Sequence, residues 1–131
     1  MTKEFEDIKI VAMDDGASYK SEPNTQMMHI VLTLSASAPY EWSQYFNDCW
    51  QHQSYMMKRR ATASDKRIEI YCVPDELQQH HIPQLNKVIA ETNAAYRGYV
   101  EKSQREAAER ADSEARERSE LFKIKSNLKF D

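Results

Sequence analysis

The side chains with the richest chemistry in this sequence are two cysteines, four histidines and the carboxylate pairs Asp14-Asp15 and Asp75-Glu76. Cys49 and His52 stand in a C-x2-H spacing, and Cys72, His80 and His81 lie downstream. Thiolates and imidazoles are zinc ligands, but strong zinc sites show paired short spacings such as C-x2-C with H-x3-H. No such pairing occurs, and no local signature of a Cys–His nucleophilic pair occurs either. Buried thiols and solvent-facing imidazoles are therefore expected, with no metal and no cofactor. Asp14-Asp15 beside Gly16, and Asp75-Glu76, are the kind of carboxylate pairs used in acid–base or Mg²⁺ chemistry. Both fall where turns and helix caps recruit Asp, so capping is the expected role. Gly16 and Gly98 are the two glycines, far apart in the chain, which removes phosphate-cradling loops and dinucleotide folds from consideration.

Cations cluster at Lys58, Arg59 and Arg60, with Lys66 and Arg67 close behind and Tyr55 just ahead. A small sheet flanked by cations and an aromatic ring can hold single-stranded RNA. The aromatic–glycine signature of RNA-recognition strands is missing, however. The whole chain carries a net charge of −3 with a pI near 5.8, against the basic field a polyanion binder needs. Nucleic-acid contact through Tyr55, Lys58, Arg59, Arg60, Lys66 and Arg67 is thus an alternative to the favoured reading. A small metal- or Cys/His-dependent hydrolase using Cys72, His80 and His81, or the carboxylate pairs, is another.

These residues must be positioned by a handful of elements. FEDIKIVAM (5–13) is rich in β-branched residues and reads as a strand, and DDGASYKSEPNT (14–25) reads as a loop. MMHIVLTLSAS (27–37) alternates, with Met28, Ile30, Leu32, Leu34 and Ala36 on one side, as a half-buried strand does. WSQYFNDCWQHQSYMM (42–57) holds two tryptophans, two tyrosines and a phenylalanine. On a helical wheel Trp42, Tyr45, Phe46, Cys49, Trp50, Gln53, Met56 and Met57 share one arc, leaving Tyr40 and Tyr55 off the stripe. Such a face is what a helix lying on a sheet requires. Ser37 is a plausible N-cap for it. Residues 58–66 read as a basic loop and KRIEIYCV (66–73) as a third strand ended by Pro74. Asp75 and Gln78 have capping-box spacing for a short helical turn. From Pro83 onward Leu85, Val88, Ile89, Thr92, Tyr96, Tyr99 and Val100 recur at three- and four-residue intervals, as in a second amphipathic helix.

Beyond Val100 the character changes. Residues 101–120 hold no Gly, Pro or aromatic residue, and i,i+4 pairs such as Glu101–Arg105, Glu106–Arg110, Asp112–Arg116 and Glu114–Arg118 favour a solvated helix. The last stretch alternates again: Phe122, Ile124, Leu128 and Phe130 share a strand phase between lysines. The expected architecture is α+β, a three- or four-stranded sheet in strand–strand–helix–strand–helix order. Its helices lie on one face, and a long charged helix follows at the C-terminal end. A helix between the second and third strands suggests a right-handed parallel crossover, with the first strand between them. Residues 1–100 form the compact domain, and 101–131 a charged helical extension with an amphipathic, strand-like tail.

A helix over 83–119 would be about 55 Å long, against roughly 35 Å across a domain of some 100 residues. Either the helix kinks near Gly98 or within 101–105, or the tail docks on another chain. The expected function follows: a non-catalytic protein-interaction module, a self-associating adaptor or inhibitor that binds through Phe122, Ile124, Leu128 and Phe130, as a homo-oligomer or with a protein partner. The sequence has no apolar run of the ~20 residues a membrane span needs and no signal-peptide pattern at MTKEFEDIKIV, so a cytoplasmic, reduced setting is expected. The aromatic helix makes the sharpest claim. Trp50→Ala is expected to lower stability by about 3–5 kcal/mol, read from the midpoint of urea unfolding.

Overall fold

The alternating stretches become neighbours in one antiparallel sheet. In the computed structural model, which describes residues 4–130, the elements run β1 (Ile10–Tyr19), β2 (Met28–Leu34), α1 (Tyr40–Gln51), β3 (Arg60–Ser64) and β4 (Arg67–Cys72). A 3₁₀ turn (Pro74–Glu76) and a π turn (Leu77–His81) then lead into α2 (Ile82–Asn127). The fold is α+β, with sheet order β1-β2-β4-β3 and every neighbouring pair antiparallel.

Two features depart from the sequence reading. The stretch expected as a basic loop contains β3, which forms a hairpin with β4 across Asp65-Lys66. Asp65 takes the left-handed conformation (φ 53°), which Asp tolerates through its short polar side chain. Because β3 reverses the chain after α1, β4 returns antiparallel to β2, and no parallel crossover forms. β2, rather than the first strand, sits between its neighbours. The first strand also begins later than expected, and its 14–19 portion is irregular. Asp14 Oδ1 accepts from the Ala17 N–H (3.2 Å), Ser18 Oγ donates to the Asp14 carbonyl (2.8 Å), and the Val31 N–H donates to Ser18 Oγ (3.0 Å). Asp14 thus organises a break in strand register, in keeping with a turn-forming role.

One face of the sheet supplies the core. Ile30, Leu32 and Leu34 of β2, Ile68, Ile70 and Cys72 of β4, and Ala61 and Ala63 of β3 are buried against Trp42, Phe46 and Trp50 of α1 and Leu85, Val88 and Ile89 of α2. The alanines of β3 leave room for α1 to lie close. Asn47 uses that closeness: its Oδ1 accepts from the Ala63 N–H (2.8 Å) and its Nδ2 donates to the Ala63 carbonyl (3.3 Å). The backbone of the edge strand is thereby satisfied by a helix side chain.

The helix α1 ends at Gln51, six residues before the aromatic stripe does. Its N-cap is Pro39, with no side-chain cap from Ser37. Met57 sits in a left-handed conformation (φ 64°), and Met56 and Met57 are exposed. Lys58 closes the helix, donating from Nζ to the carbonyls of Gln51 (3.1 Å) and Gln53 (2.6 Å).

The chain divides into two units, one up to Arg97 and one from Gly98 onward. Residues 1–3 and 131 of the expected domain and extension lie outside the described residues. Helical structure continues without interruption through Gly98 to Asn127, so residues 121–127 are helical and not strand-like. Intrahelical hydrogen bonds satisfy that backbone, and the period-two pattern of Phe122 and Ile124 becomes two different helix faces. Among the described residues no helix is long and apolar enough to cross a membrane.

The segment before β1 is anchored by one side chain. Asn93 Oδ1 accepts from the Ile8 N–H (3.1 Å) and from Trp42 Nε1 (2.9 Å), while Asn93 Nδ2 donates to the Ile8 carbonyl (2.9 Å). All three partners are buried, and each costs about 1–3 kcal/mol if left unpaired. Asn93→Leu is therefore expected to destabilise the protein by about 3 kcal/mol or more. Asn93→Asp should also weaken it, because a carboxylate cannot donate to the Ile8 carbonyl. Chemical denaturation with far-UV circular dichroism measures both.

Candidate functional site

The residues with chemistry fall into a buried network, a dispersed set of cations and an exposed helix end. The network begins with the 3₁₀ turn after Pro74, which directs Glu76 inward. Its Oε1 accepts from Arg59 Nε (2.7 Å), from His81 Nε2 (3.0 Å) and from the Val73 N–H (3.4 Å), and Oε2 lies 3.4 Å from an Arg59 guanidinium nitrogen. His81, fully buried where a solvent-facing imidazole was expected, reaches the Tyr55 hydroxyl through Nδ1 (2.8 Å). The carboxylate accepts the hydrogen bond from the Nε2–H. With the Nε2–H donated to the carboxylate, a neutral imidazole leaves Nδ1 as the acceptor of the phenol proton. Trp50 Nε1 donates to the Arg59 carbonyl (3.0 Å) and ties the network to α1.

Hydroxyl, imidazole and carboxylate follow one another as in a nucleophilic triad. Two physical features oppose nucleophilic use of this trio. Burial pushes the Tyr55 phenol up, away from the phenolate, and His81 has no exposed surface through which to reach a substrate. Cys72, Glu76 and His81 hold ligand atoms within 4.8 Å of one another, a donor set zinc would accept. Yet Arg59 already neutralises Glu76, and burial followed by the Glu76 charge pushes the Cys72 thiol up to about 11. A cation at these atoms would have to displace the Arg59 guanidinium from Glu76. The Cys49 thiol is likewise pushed up to about 11, by burial and then by its hydrogen bond to Glu91 Oε2 (3.0 Å), and His52 Nδ1 contacts the Asp48 carbonyl (2.7 Å). Cys49 and His52 are therefore each engaged elsewhere. Asp75 makes no side-chain cap, whereas Glu76 accepts from the N–H of the N-cap residue Val73, as in a capping box, and also anchors the ion pair with Arg59.

The basic residues do not form one patch. A hollow of about 530 Å³ beside β3 is lined in part by Lys58, Arg59 and Arg60, but Lys58 is held by carbonyls and Arg59 by Glu76. Lys66 and Arg67 line a different hollow, of about 370 Å³. Arg60, Lys66 and Arg67 make no ion pair among the described residues. Tyr55, expected to be exposed, packs against the core because the chain turns inward once α1 has ended. Tyr55 is thus packed against the core and Arg59, about a third exposed, is tied to Glu76, and no helical-wheel argument could place them so.

The C-terminal residues behave differently. Leu121, Phe122, Ile124 and Leu128 are each more than half exposed, and Phe130 is 90% exposed. On the helix Leu121 and Ile124 share a face, with Leu128 just past its end in the same phase, while Phe122 points the other way. Leu121 was not singled out by the strand phase; helical phase finds it.

Arg59 beside Glu76 holds its carboxyl down at about 2, against an ordinary 4.5, with the His81 hydrogen bond acting in the same direction and burial opposing both. A depressed folded value means stability that is fully present above pH 4.5 and is lost as pH falls toward 2. Glu76→Gln should be less stable than the parent at pH 7, and the gap should close between those two pH values, as read from urea midpoints across an acid series. Comparison with models of known protein families, with curated proteins and with solved structures gives no match to this chain.

Proposed function

We propose that this chain is a non-catalytic protein-interaction module that self-associates through its C-terminal helix and serves as an adaptor or inhibitor. The observation that carries this reading is the exposure of Leu121, Phe122 and Ile124 at the end of a helix that buries no residue beyond Asn93. Burying a side chain of this kind is worth about 1.5–3 kcal/mol. A lone helix in water is marginal even with i,i+4 pairs, of which Asp112–Arg116 (3.4 Å) is one. A partner that covers the apolar end stabilises both.

The charge pattern favours a second copy as that partner. Residues 112–120 carry four carboxylates against two arginines, and 121–130 carry three lysines and no carboxylate. Antiparallel overlap of two copies sets the lysine-bearing turns of each against the acidic stretch of the other. Parallel overlap sets lysine against lysine. A two-fold arrangement also repeats every favourable contact. A cytoplasmic setting belongs to the same reading and agrees with two unpaired cysteines.

Light scattering on the full chain is expected to give twice the 15.4 kDa chain mass at micromolar concentration. The double variant Leu121→Glu/Ile124→Glu should give the single-chain mass with an unchanged melting curve for the compact unit. Full-chain protein that stays monomeric at the highest soluble concentration would overturn the reading.

A further inference from the structure

The sheet face opposite the core carries one side chain from each strand in a single row. Tyr19 of β1 pairs with His29 of β2, His29 with Tyr71 of β4, and Tyr71 with Arg60 of β3. The three rings contact in sequence: Tyr19 stacks on His29 (4.7 Å between centroids, 15° between planes), and His29 leans on Tyr71 (4.5 Å, 35°). The row therefore ends, on the β3 side, at Tyr71 and the unpaired guanidinium of Arg60. There a hollow of about 400 Å³ opens, lined by Ser21, His29, Arg60, Thr62, Glu69 and Tyr71. Further along the same face, Lys66 and Arg67 line the second hollow together with Asp14 and Asp65, and neither cation makes an ion pair among the described residues. Four residues along β3 separate the Arg60 row from the Arg67 row, roughly 13 Å at strand rise.

We propose that this open face binds single-stranded nucleic acid, with a base against Tyr71 in the hollow and backbone phosphates on Arg60 and Arg67. The chemistry of the hollow selects this ligand. An aromatic side chain offers a stacking partner to any base, and guanidinium groups spaced along the face meet successive charges on an extended polyanion. Glu69 adds an acceptor: its Oε2 lies 4.0 Å from His29 Nδ1, and its side chain is 39% exposed. A carboxylate accepts from an exocyclic amine and repels a carbonyl edge, so cytosine is preferred to thymine. The acidic body limits the contact to a few phosphates, which sets a shallow salt dependence. The inference does not depend on the C-terminal helix, since the rings and the three free cations all precede Pro74.

Fluorescence anisotropy of labelled oligo(dC) and oligo(dT) decamers, titrated with the full chain between 50 and 200 mM salt, tests the proposal. Expected are binding that weakens with salt and a preference for oligo(dC) of about fivefold. Arg60→Ala is expected to flatten the logarithmic salt slope by about 0.7. Tyr71→Leu should weaken binding by about fivefold or more, with Tyr19→Leu, at the half-exposed edge, as the second variant if Tyr71→Leu unfolds. Glu69→Gln should erase the base preference without loss of the salt dependence. The proposal is overturned if neither decamer binds, if Arg60→Ala and Arg67→Ala leave binding unchanged, or if polyglutamate competes as well as oligo(dC), which would assign the face to an acidic peptide. Competition by cytidine monophosphate at decamer-like concentrations would overturn the strand and leave a free nucleotide in the hollow.

Discussion

Two buried indoles impose the constraint on which the compact unit depends. Trp42, Phe46 and Trp50 stack along one side of α1, with planes within 10° of parallel, and each tryptophan carries an N–H that must be paired once water is excluded. Trp42 finds Asn93 on α2, and Asn93 in turn secures the segment at Ile8. Trp50 finds the Arg59 carbonyl just ahead of β3. The aromatic face therefore does more than fill volume. Its two polar atoms fix where α2 lies and where the β3–β4 hairpin begins, and each fixed contact recruits others.

Arg59 illustrates how such recruitment removes candidates from function. With its backbone held by Trp50 and Tyr55, its guanidinium meets Glu76, and Glu76 meets His81, which meets Tyr55. Every polar group in this chain of contacts is satisfied, so the ensemble specifies a single arrangement of the core's edge. Residue types that suggest catalysis in a list of letters here hold a turn, a hairpin and a helix start together. Arg60, Lys66 and Arg67, by contrast, make no ion pair among the described residues and lie near or on the open face of the sheet.

From Gly98 the physics is of a different kind. The helix there has no core to bury, and its persistence rests on backbone hydrogen bonds and surface charge pairs. Large apolar side chains at its end are then an energetic debit in isolation, which is the physical basis for assigning them to association. Lysines and carboxylates segregated into adjacent stretches would give the association proposed above a preferred direction.

Periodicity determined much of this protein before any folding. The aromatic stripe from Trp42 to Trp50, the alternation in β2 and β4, the spacing from Leu85 to Thr92 and the solvated character of 101–120 are all properties of neighbours in sequence. Helix and strand periods are local, so they could be read directly. The tail shows the weakness of that logic, because a short alternating run that directly continues a long helical stretch can extend the helix and its backbone hydrogen bonds instead. Tertiary structure alone decided what lies between elements: the inward turn of Tyr55, the burial of His81 on Glu76, and the strand reversal that made β4 antiparallel to β2. The row Tyr19–His29–Tyr71–Arg60 belongs to the same class. Its members come from four strands and meet only through register, which is set by the summed packing of the opposite face and leaves no trace in the spacing of any one segment.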